Sequence, residues 1–156
     1  MGIAKTVKDC LDRHRIDYVH SSHPSAFTAQ EVAAATHVPG KEFAKTVIVK
    51  ADDRYVMVVL PASHKIEFDK LRRAIGAEAV ELASEEEFAE LFPDCEVGAM
   101  PPLGNLYGLP VYVSSSLAED EEIVFNAGTH TDVIRMKYSD FSRLVSPEVC
   151  EFSGHV

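Results

Sequence analysis

The sequence lacks the segments that would direct a protein into or across a membrane. No stretch approaches about 18 consecutive apolar residues, the length that a membrane-spanning helix needs. The first 15 residues carry charges throughout and contain no apolar signal core, which argues against a secretory leader. The three cysteines, Cys10, Cys95 and Cys150, form no CxxC pair. We therefore expect reduced thiols, a cytoplasmic location and no membrane partner.

The common catalytic motifs are absent as well. The sequence contains no GxGxxG after a predicted strand, no phosphate-binding GxxxxGK loop, no GxSxG and no HExxH. His20 and His23 have the spacing of a metal-binding pair, but no second pair of ligands follows at a suitable distance. We therefore expect no metal and no cofactor. A Cys–His nucleophile pair stays open, because the sequence does not reveal which residues are neighbours in space.

The composition suits one compact domain over residues 1–156. The chain is 46% hydrophobic and 26% charged, so it can bury a core without a disulfide. Its net charge is −10, with +3 on residues 1–76 and −13 on residues 77–156. So acidic a chain argues against indiscriminate binding of nucleic acid, and we expect no DNA partner. One basic cluster could be either a local surface for RNA phosphates or a solvated helix face; it comprises Lys65, Lys70, Arg72 and Arg73.

Hydrophobic periodicity and capping patterns predict an α+β fold. Helices are predicted over residues 3–14, 28–36, 68–75, 84–91 and 139–145. Extended segments are predicted over residues 16–20, 45–50, 55–60, 79–82, 96–100, 111–115, 122–126, 132–137 and 149–152. Few helices lie between consecutive strands, which favours a mixed, mainly antiparallel sheet flanked by helices. Several strands of similar length could also curl this sheet into a barrel.

Lys45 begins an apolar strand and is the first candidate for chemistry. Because side chains alternate along a strand, Lys45 shares one face with Val47 and Val49. Thr46 lies on the opposite face. If the lysine face points inward, its ammonium is partly desolvated and needs an anionic or carbonyl partner. The alternative is a lysine that extends from the strand end into solvent.

A second candidate is the segment 98–104, in which Gly98 and Gly104 bracket Pro101 and Pro102. Glycines allow a backbone to approach a ligand closely, and prolines fix a loop in advance. The backbone N–H groups of such a loop can receive a developing oxyanion or an ester. On its own, the segment fits a tight turn between strands at least as well.

The third candidate is the segment 126–131, which lies between two predicted strands and places Thr129 and His130 at a turn. His130 could exchange hydrogen bonds with a substrate near neutral pH. A single histidine in a loop is more often exposed to solvent without a function.

Taken in order, these segments resemble the YbaK/prolyl-tRNA synthetase-associated domain family of free-standing editing deacylases. The similarity covers nearly the whole chain: it begins at His23-Pro24, continues through residues 43–49 and the 98–104 loop, and ends at Gly128-Thr129-His130. The resemblance implies a mixed, barrel-like sheet and hydrolysis of the ester between a wrong amino acid and the terminal adenosine of tRNA. By analogy, alanine or cysteine on the tRNA for proline are the expected substrates, with serine or threonine esters as alternatives.

The resemblance also implies roles for particular residues. Lys45 matches the lysine of the family and would be catalytic. The residues that would bind substrate are Thr46, Gly98, Pro101, Gly104, Gly128, Thr129 and His130. Many members have asparagine where this chain has Thr46, which affects the expected amino-acid preference. The acceptor end of a mischarged tRNA would be the partner, with prolyl-tRNA synthetase as a further one, and the basic cluster would contact acceptor-stem phosphates.

Two other interpretations remain open at this stage. The same pocket could hold a small ligand or an RNA end without hydrolysing it. Alternatively, the chain could be a regulatory domain that acts through protein contacts, in which case the pocket residues could be mutated without harm.

Overall fold

A long antiparallel hairpin forms the middle of the largest sheet. The computed structural model describes residues 4–22 and 39–155. In it, β2 (Ala44–Ala51) and β3 (Arg54–Pro61) pair along their whole length, with only Asp52 and Asp53 between them. Asp52 has a φ of 56°, a left-handed conformation that aspartate tolerates better than most residues. Its carboxylate accepts a hydrogen bond of 3.0 Å from the backbone N–H of Ala79, which fixes the turn.

The strands of the described residues form three sheets. Besides β2 and β3, the strands are β1 (Tyr18–Ser22), β4 (His64–Ile66), β5 (Val80–Leu82), β6 (Val111–Ser114), β7 (Glu122–Asn126), β8 (Asp132–Lys137), β9 (Glu148–Cys150) and β10 (Ser153–His155). The largest sheet has the order β5-β2-β3-β6-β9 and is mixed, since β3–β6 and β6–β9 are parallel pairs. The second is antiparallel with the order β1-β8-β7, and the third pairs β4 with β10.

Short helices flank the sheets. They are α1 (Lys5–Arg13), α2 (Phe68–Ile75), α3 (Glu85–Ala89), α4 (Ser115–Ala118) and α5 (Tyr138–Val145), with a 3-10 turn at Gly104–Tyr107. α2 buries Leu71 and Ile75, which lie one turn apart on the same face. Among the helices of residues 4–22 and 39–155, none has the length and apolar character to cross a membrane.

The core consists of two apolar clusters on opposite faces of the five-stranded sheet. Ile48, Met57 and Val59 belong to the larger cluster, together with residues of α1, β7, β8 and α5. Val49 and Val58 face the smaller cluster. From Val56 onward β3 is therefore buried on both faces, which explains the continuous apolar sequence of that part. Each valine that is fully buried in this way contributes about 1.5–3 kcal/mol.

A parallel bridge joins the two larger sheets at the start of β2. Phe43 pairs with Val124 of β7, and both side chains are buried. The backbone N–H of Val124 donates to the carbonyl of Glu42 at 3.0 Å. Because the pairing is parallel, β2 and the end of β7 leave the bridge in the same direction.

The predicted fold class is confirmed: the structure is α+β, with mixed sheets and flanking helices. The hairpin, the helix over residues 68–75 and the strand over residues 122–126 are confirmed. The capping box of α3 is also present, since Ser84 Oγ accepts from the N–H of Glu87 while Glu87 Oε1 accepts from the N–H of Ser84.

Some predictions were wrong in detail. The strand predicted over residues 96–100 is a turn, because Gly98 has a φ of 88° and Ala99 N–H donates back to the carbonyl of Glu96. α3 ends at Ala89 rather than at 91. Lys65 lies on β4 and not on the basic helix, since β4 pairs with β10 and the helix begins only at Phe68. The predicted loop at His23-Pro24 and the helix over residues 28–36 lie outside the described residues.

Candidate functional site

The two glycine segments meet in space through hydrogen bonds. The backbone N–H of His130 donates to Glu96 Oε1 at 2.6 Å. His130 Nε2 lies 2.7 Å from the carbonyl oxygen of Val97, and since a carbonyl only accepts, this nitrogen carries the hydrogen. The N–H of Glu96 donates to the carbonyl of Gly128 at 2.7 Å. The histidine is thus fixed in both position and tautomer by the 96–98 turn.

The two glycines at this junction are required by geometry. Gly98 has a φ of 88°, and a Cβ there would lie 3.3 Å from His130 Cε1. Gly128 has a φ of 99°, and a Cβ there would lie 2.6 Å from the Cβ of Ala4. Both the backbone conformation and the close approach therefore favour glycine. Gly98 lets the imidazole ring lie against the turn, whereas Gly128 lets the N-terminus of α1 approach.

A buried carboxylate holds the other side of the His130 turn. Asp132 is 1% exposed, and its oxygens accept from Thr129 Oγ1 at 2.5 Å and from His20 Nε2 at 2.6 Å. Ser22 Oγ and Thr131 Oγ1 donate at 3.2 and 3.3 Å. Burial alone would raise the pKa of Asp132, but these hydrogen bonds outweigh it and lower the pKa below the usual value. Asp132 therefore ties the turn to the end of β1.

Lys45 is partly buried and has a neutral partner. Its ammonium donates to the backbone carbonyl of His64 at 2.6 Å. Within residues 4–22 and 39–155, no carboxylate lies within ion-pair distance of Lys45. Burial lowers the pKa of this lysine. The side chain is thus a half-desolvated cation with N–H groups left to donate, rather than a lysine that extends freely into solvent.

Thr46 follows Lys45 in the chain and lies on the opposite face of β2. Thr46 lies on the face of Ile48 and the larger core cluster, which also contains Ala127. Its Oγ1 is buried without a hydrogen-bond partner in the described part of the chain. No described hydrogen bond links Lys45 to the His130 turn. Their connection is through the backbone, at the bridge between Phe43 and Val124.

The other predicted site residues have contacts within the fold that do not involve a ligand. Pro101 is buried, and a Cβ at Gly104 would lie 2.7 Å from Val111 Cγ2, so packing accounts for this glycine without a ligand. Thr129 uses its hydroxyl on Asp132. Lys70 forms an ion pair with Glu67 at 2.9 Å. The basic side chains of α2 without an ion pair in the described residues are Arg72 and Arg73.

Over residues 4–22 and 39–155, no group of three or more His, Cys, Asp or Glu side chains is placed to hold a metal ion. Burial raises the pKa of Cys95 to about 12, which keeps this thiol protonated and unreactive near neutral pH.

A model of the aminoacyl-tRNA editing domain family matches residues 23–144. The chain belongs to this family. The match includes both glycine segments, Lys45 and the His130 turn. In this editing domain the half-buried lysine lies on β2, and the fixed histidine lies in the turn that follows β7.

Proline–tRNA ligases are among the relatives of this editing domain. The enzyme of Bacillus cytotoxicus (strain DSM 22905 / CIP 110041 / 391-98 / NVH 391-98) is 32% identical over 101 residues, which cover 65% of this chain and 16% of the ligase. That of Bacillus cereus (strain AH187) is 35% identical over 95 residues, which cover 61% of this chain and 17% of the ligase. The chain therefore spans about one sixth of the length of the curated relatives that it matches.

Solved structures share the fold at low sequence identity. A candidate trans-editing enzyme for prolyl-tRNA synthetase superposes with a TM-score of 0.83 at 21% identity, covering 97% of this chain and 96% of that one. A hypothetical protein superposes with a TM-score of 0.86 at 20% identity, covering 96% of this chain and all of the other.

Sequence reasoning missed the residues that support the site. Asp132 could have been noticed as the acidic first residue of an otherwise apolar strand. Glu96 and His64 gave no such signal, because their contacts to His130 and Lys45 come from distant parts of the chain. Asn126 lay inside the segment that was singled out, but no role was assigned to it.

The Asp132 network predicts a pH-dependent contribution to stability. Asp132→Asn should lower the free energy of unfolding at pH 7 by about 1–3 kcal/mol, because it leaves buried donors without a full acceptor. The pKa of Asp132 is lowered, so its contribution is present above the usual carboxyl value of 3.8 and is lost as pH falls through the lowered value. Urea unfolding at pH 7 and at about pH 3 should show the difference between the two proteins shrink at the lower pH. Asp53→Asn, at an exposed turn, is the control; an equal effect there would contradict the prediction.

Gly98 and Gly108 form a matched pair for testing the His130 contact. Both have a left-handed φ, of 88° and 73°, but a Cβ at Gly108 would meet nothing within 4 Å. Gly98→Ala and Gly108→Ala should each cost about 1–2 kcal/mol of stability. Only Gly98→Ala should also lower kcat/KM for ester hydrolysis, by roughly 10- to 100-fold, because it displaces the imidazole. Equal activity in the two variants would show that the ring position does not matter.

Proposed function

We propose that this protein is a trans-editing deacylase in the cytoplasm. It hydrolyses the ester of a mischarged tRNA and so releases a small wrong amino acid, such as alanine or cysteine, from the tRNA for proline. Membership of the aminoacyl-tRNA editing domain family supports the class of substrate. The similarity to proline–tRNA ligases supports the tRNA for proline as the carrier of the wrong amino acid, and it supports prolyl-tRNA synthetase as a partner.

One observation carries this proposal beyond family membership: the half-buried ammonium of Lys45, which has a single neutral acceptor in the described structure. A cation in such a place stabilises negative charge more strongly than one in water, because the surroundings screen it less. The charge that develops on an ester during hydrolysis, or the adjacent terminal phosphate, would complete its coordination.

Hydrolysis of this ester requires few groups from the protein. An aminoacyl ester is already activated, so a water molecule can attack the carbonyl carbon without a protein nucleophile. The bond between the acyl carbon and the ribose oxygen breaks, and that oxygen takes a proton. The neighbouring ribose hydroxyl would assist the attack, while Lys45 offsets the charge on the carbonyl oxygen or phosphate. His130 and the turn around Gly98 would orient the ester.

Amino-acid choice would follow from the size of the pocket. A small pocket admits alanine, serine or cysteine and excludes a larger correct residue by steric clash, which is the logic of a second sieve. Thr46 would contribute to this selection from the face opposite Lys45. Its side chain is smaller than the asparagine of many relatives and leaves a buried hydroxyl oxygen without a partner in the described structure.

Replacing Lys45 tests the proposal directly. Lys45→Ala should lower the rate of deacylation by roughly 10²–10³-fold, the typical loss when one stabilising donor is removed. The measurement is release of labelled amino acid from alanyl-, cysteinyl-, seryl- and threonyl-esters on the tRNA for proline and on their own tRNAs. Lys50→Ala removes a half-exposed lysine from the same strand and should leave the rate unchanged. A folded Lys45→Ala protein with wild-type turnover would refute the assigned role, and binding without release by the wild type would favour a non-catalytic module.

The arginines of α2 are the strongest candidates for contacts to tRNA phosphates. Lys70 is already paired with Glu67, whereas Arg72 and Arg73 of the same helix have no ion pair in the described residues. Lys65 lies on β4 rather than on this helix. Arg72→Glu combined with Arg73→Glu should weaken tRNA binding and flatten the dependence of log K on log salt, by roughly 1 per lost phosphate contact. Arg143→Glu on α5 is the control. An unchanged salt slope in the double variant would remove α2 from the RNA surface.

A further inference from the structure

Asn126 lies at the end of β7. Its side-chain oxygen Oδ1 is buried and has no hydrogen-bond partner in the described part of the chain. A buried acceptor without a partner costs about 1–3 kcal/mol, and native structures rarely leave one unexplained. Its neighbours Phe125 and Ala127 belong to the larger core cluster, whereas Asn126 does not.

The strand register places this amide on the same face as Lys45. Phe43 and Val124 form the parallel bridge, and paired residues of a sheet point to the same face. Lys45 and Asn126 each follow the bridge by two residues, so their side chains also share one face. Phe43 and Val124 are an isolated pair, and β2 and β7 share no further ladder pairing in the described residues. Two residues beyond the bridge, a cation and a neutral acceptor without a described partner thus occupy equivalent positions on the same face of the two strands.

The chemistry of an aminoacyl ester matches this pair. Its carbonyl oxygen accepts hydrogen bonds, and its α-amino nitrogen, attached to the adjacent carbon, donates them. Lys45 can donate to an oxygen and cannot accept, whereas Asn126 Oδ1 can accept and carries no charge. A carboxylate at the position of Asn126 would instead pair with Lys45 and occupy both groups. A neutral amide leaves the ammonium available for the ester.

We propose that Asn126 recognises the α-amino group of the aminoacyl substrate through its side-chain carbonyl oxygen, while Lys45 takes the acyl or phosphate oxygen. This inference rests on the proposed function for its substrate class. It adds a specificity: the site distinguishes an amino acid from an acyl group of the same size that lacks the amine.

The test uses two amide-linked analogues that differ only in the donor, 3′-alanylamino-3′-deoxyadenosine and 3′-propionylamino-3′-deoxyadenosine. The wild-type protein should bind the alanyl compound roughly three- to tenfold more tightly, as expected for one hydrogen bond, in calorimetric or NMR titrations at fixed salt. Asn126→Ala should bind both equally. Any general attraction between the amine and this acidic protein is the same in both proteins and cancels in the comparison.

Asn105→Ala is the matched control, since it removes an exposed amide that donates to the carbonyl of Leu144. It should keep the wild-type preference. Asn126→Ala should also unfold at a temperature no lower than the wild type, because the orphaned oxygen has no bond to lose. A preference that survives in Asn126→Ala, or a wild type that binds both analogues alike, would overturn the inference.

The analogues carry an amide in place of the ester, so their binding does not depend on turnover. A preference that Asn126→Ala abolishes, together with no release of amino acid from any mischarged tRNA, would refute the deacylase and leave recognition of the amine intact. Release of amino acid by the wild type with no preference between the analogues would support the deacylase and refute recognition of the amine by Asn126.

Discussion

The parallel bridge between Phe43 and Val124 is the constraint on which the site depends. It joins a strand of the mixed five-stranded sheet to a strand of the antiparallel sheet, and both its side chains are buried. Both strands run on from the bridge in the same direction, β2 through Lys45 and β7 toward the turn that holds His130. Lys45 belongs to the five-stranded sheet and the His130 turn follows a strand of the antiparallel sheet, so the proposed site would need both sheets.

The His130 turn is rigid because independent contacts hold it from two sides. Glu96 and Val97 bind the backbone and the ring of His130, while Asp132 binds the hydroxyl of Thr129 and the imidazole of His20. A turn without these contacts would have to become ordered when a ligand binds, at a cost in conformational entropy. Fixing the turn in the folded state moves that cost from binding to folding. The buried core on both faces of β3 supplies the stability that such an arrangement requires.

The sequence predicted the elements that local patterns determine. The hairpin, the helix with Leu71 and Ile75, and the capping box at Ser84 all follow from the spacing of residues close in the chain. The strand β4 and its partner β10 were missed because they are three residues long and pair across a large separation in sequence. For the same reason the sequence suggested Lys45 and His130, but not the distant groups that hold them. The roles of these residues in catalysis stay predictions.

Strand alternation also places Lys45 and Thr46 in different surroundings, although the two are adjacent in sequence. The ammonium lies on the face of Asn126, whereas the threonine hydroxyl lies on the face of the larger core cluster. A substitution at Thr46 would therefore change the shape and polarity of the opposite side without moving the cation. Under the proposed function, a change at this position would alter amino-acid selectivity while the charge stabilisation by Lys45 stays the same. The two proposed roles can vary independently because neighbouring residues of one strand face different surroundings.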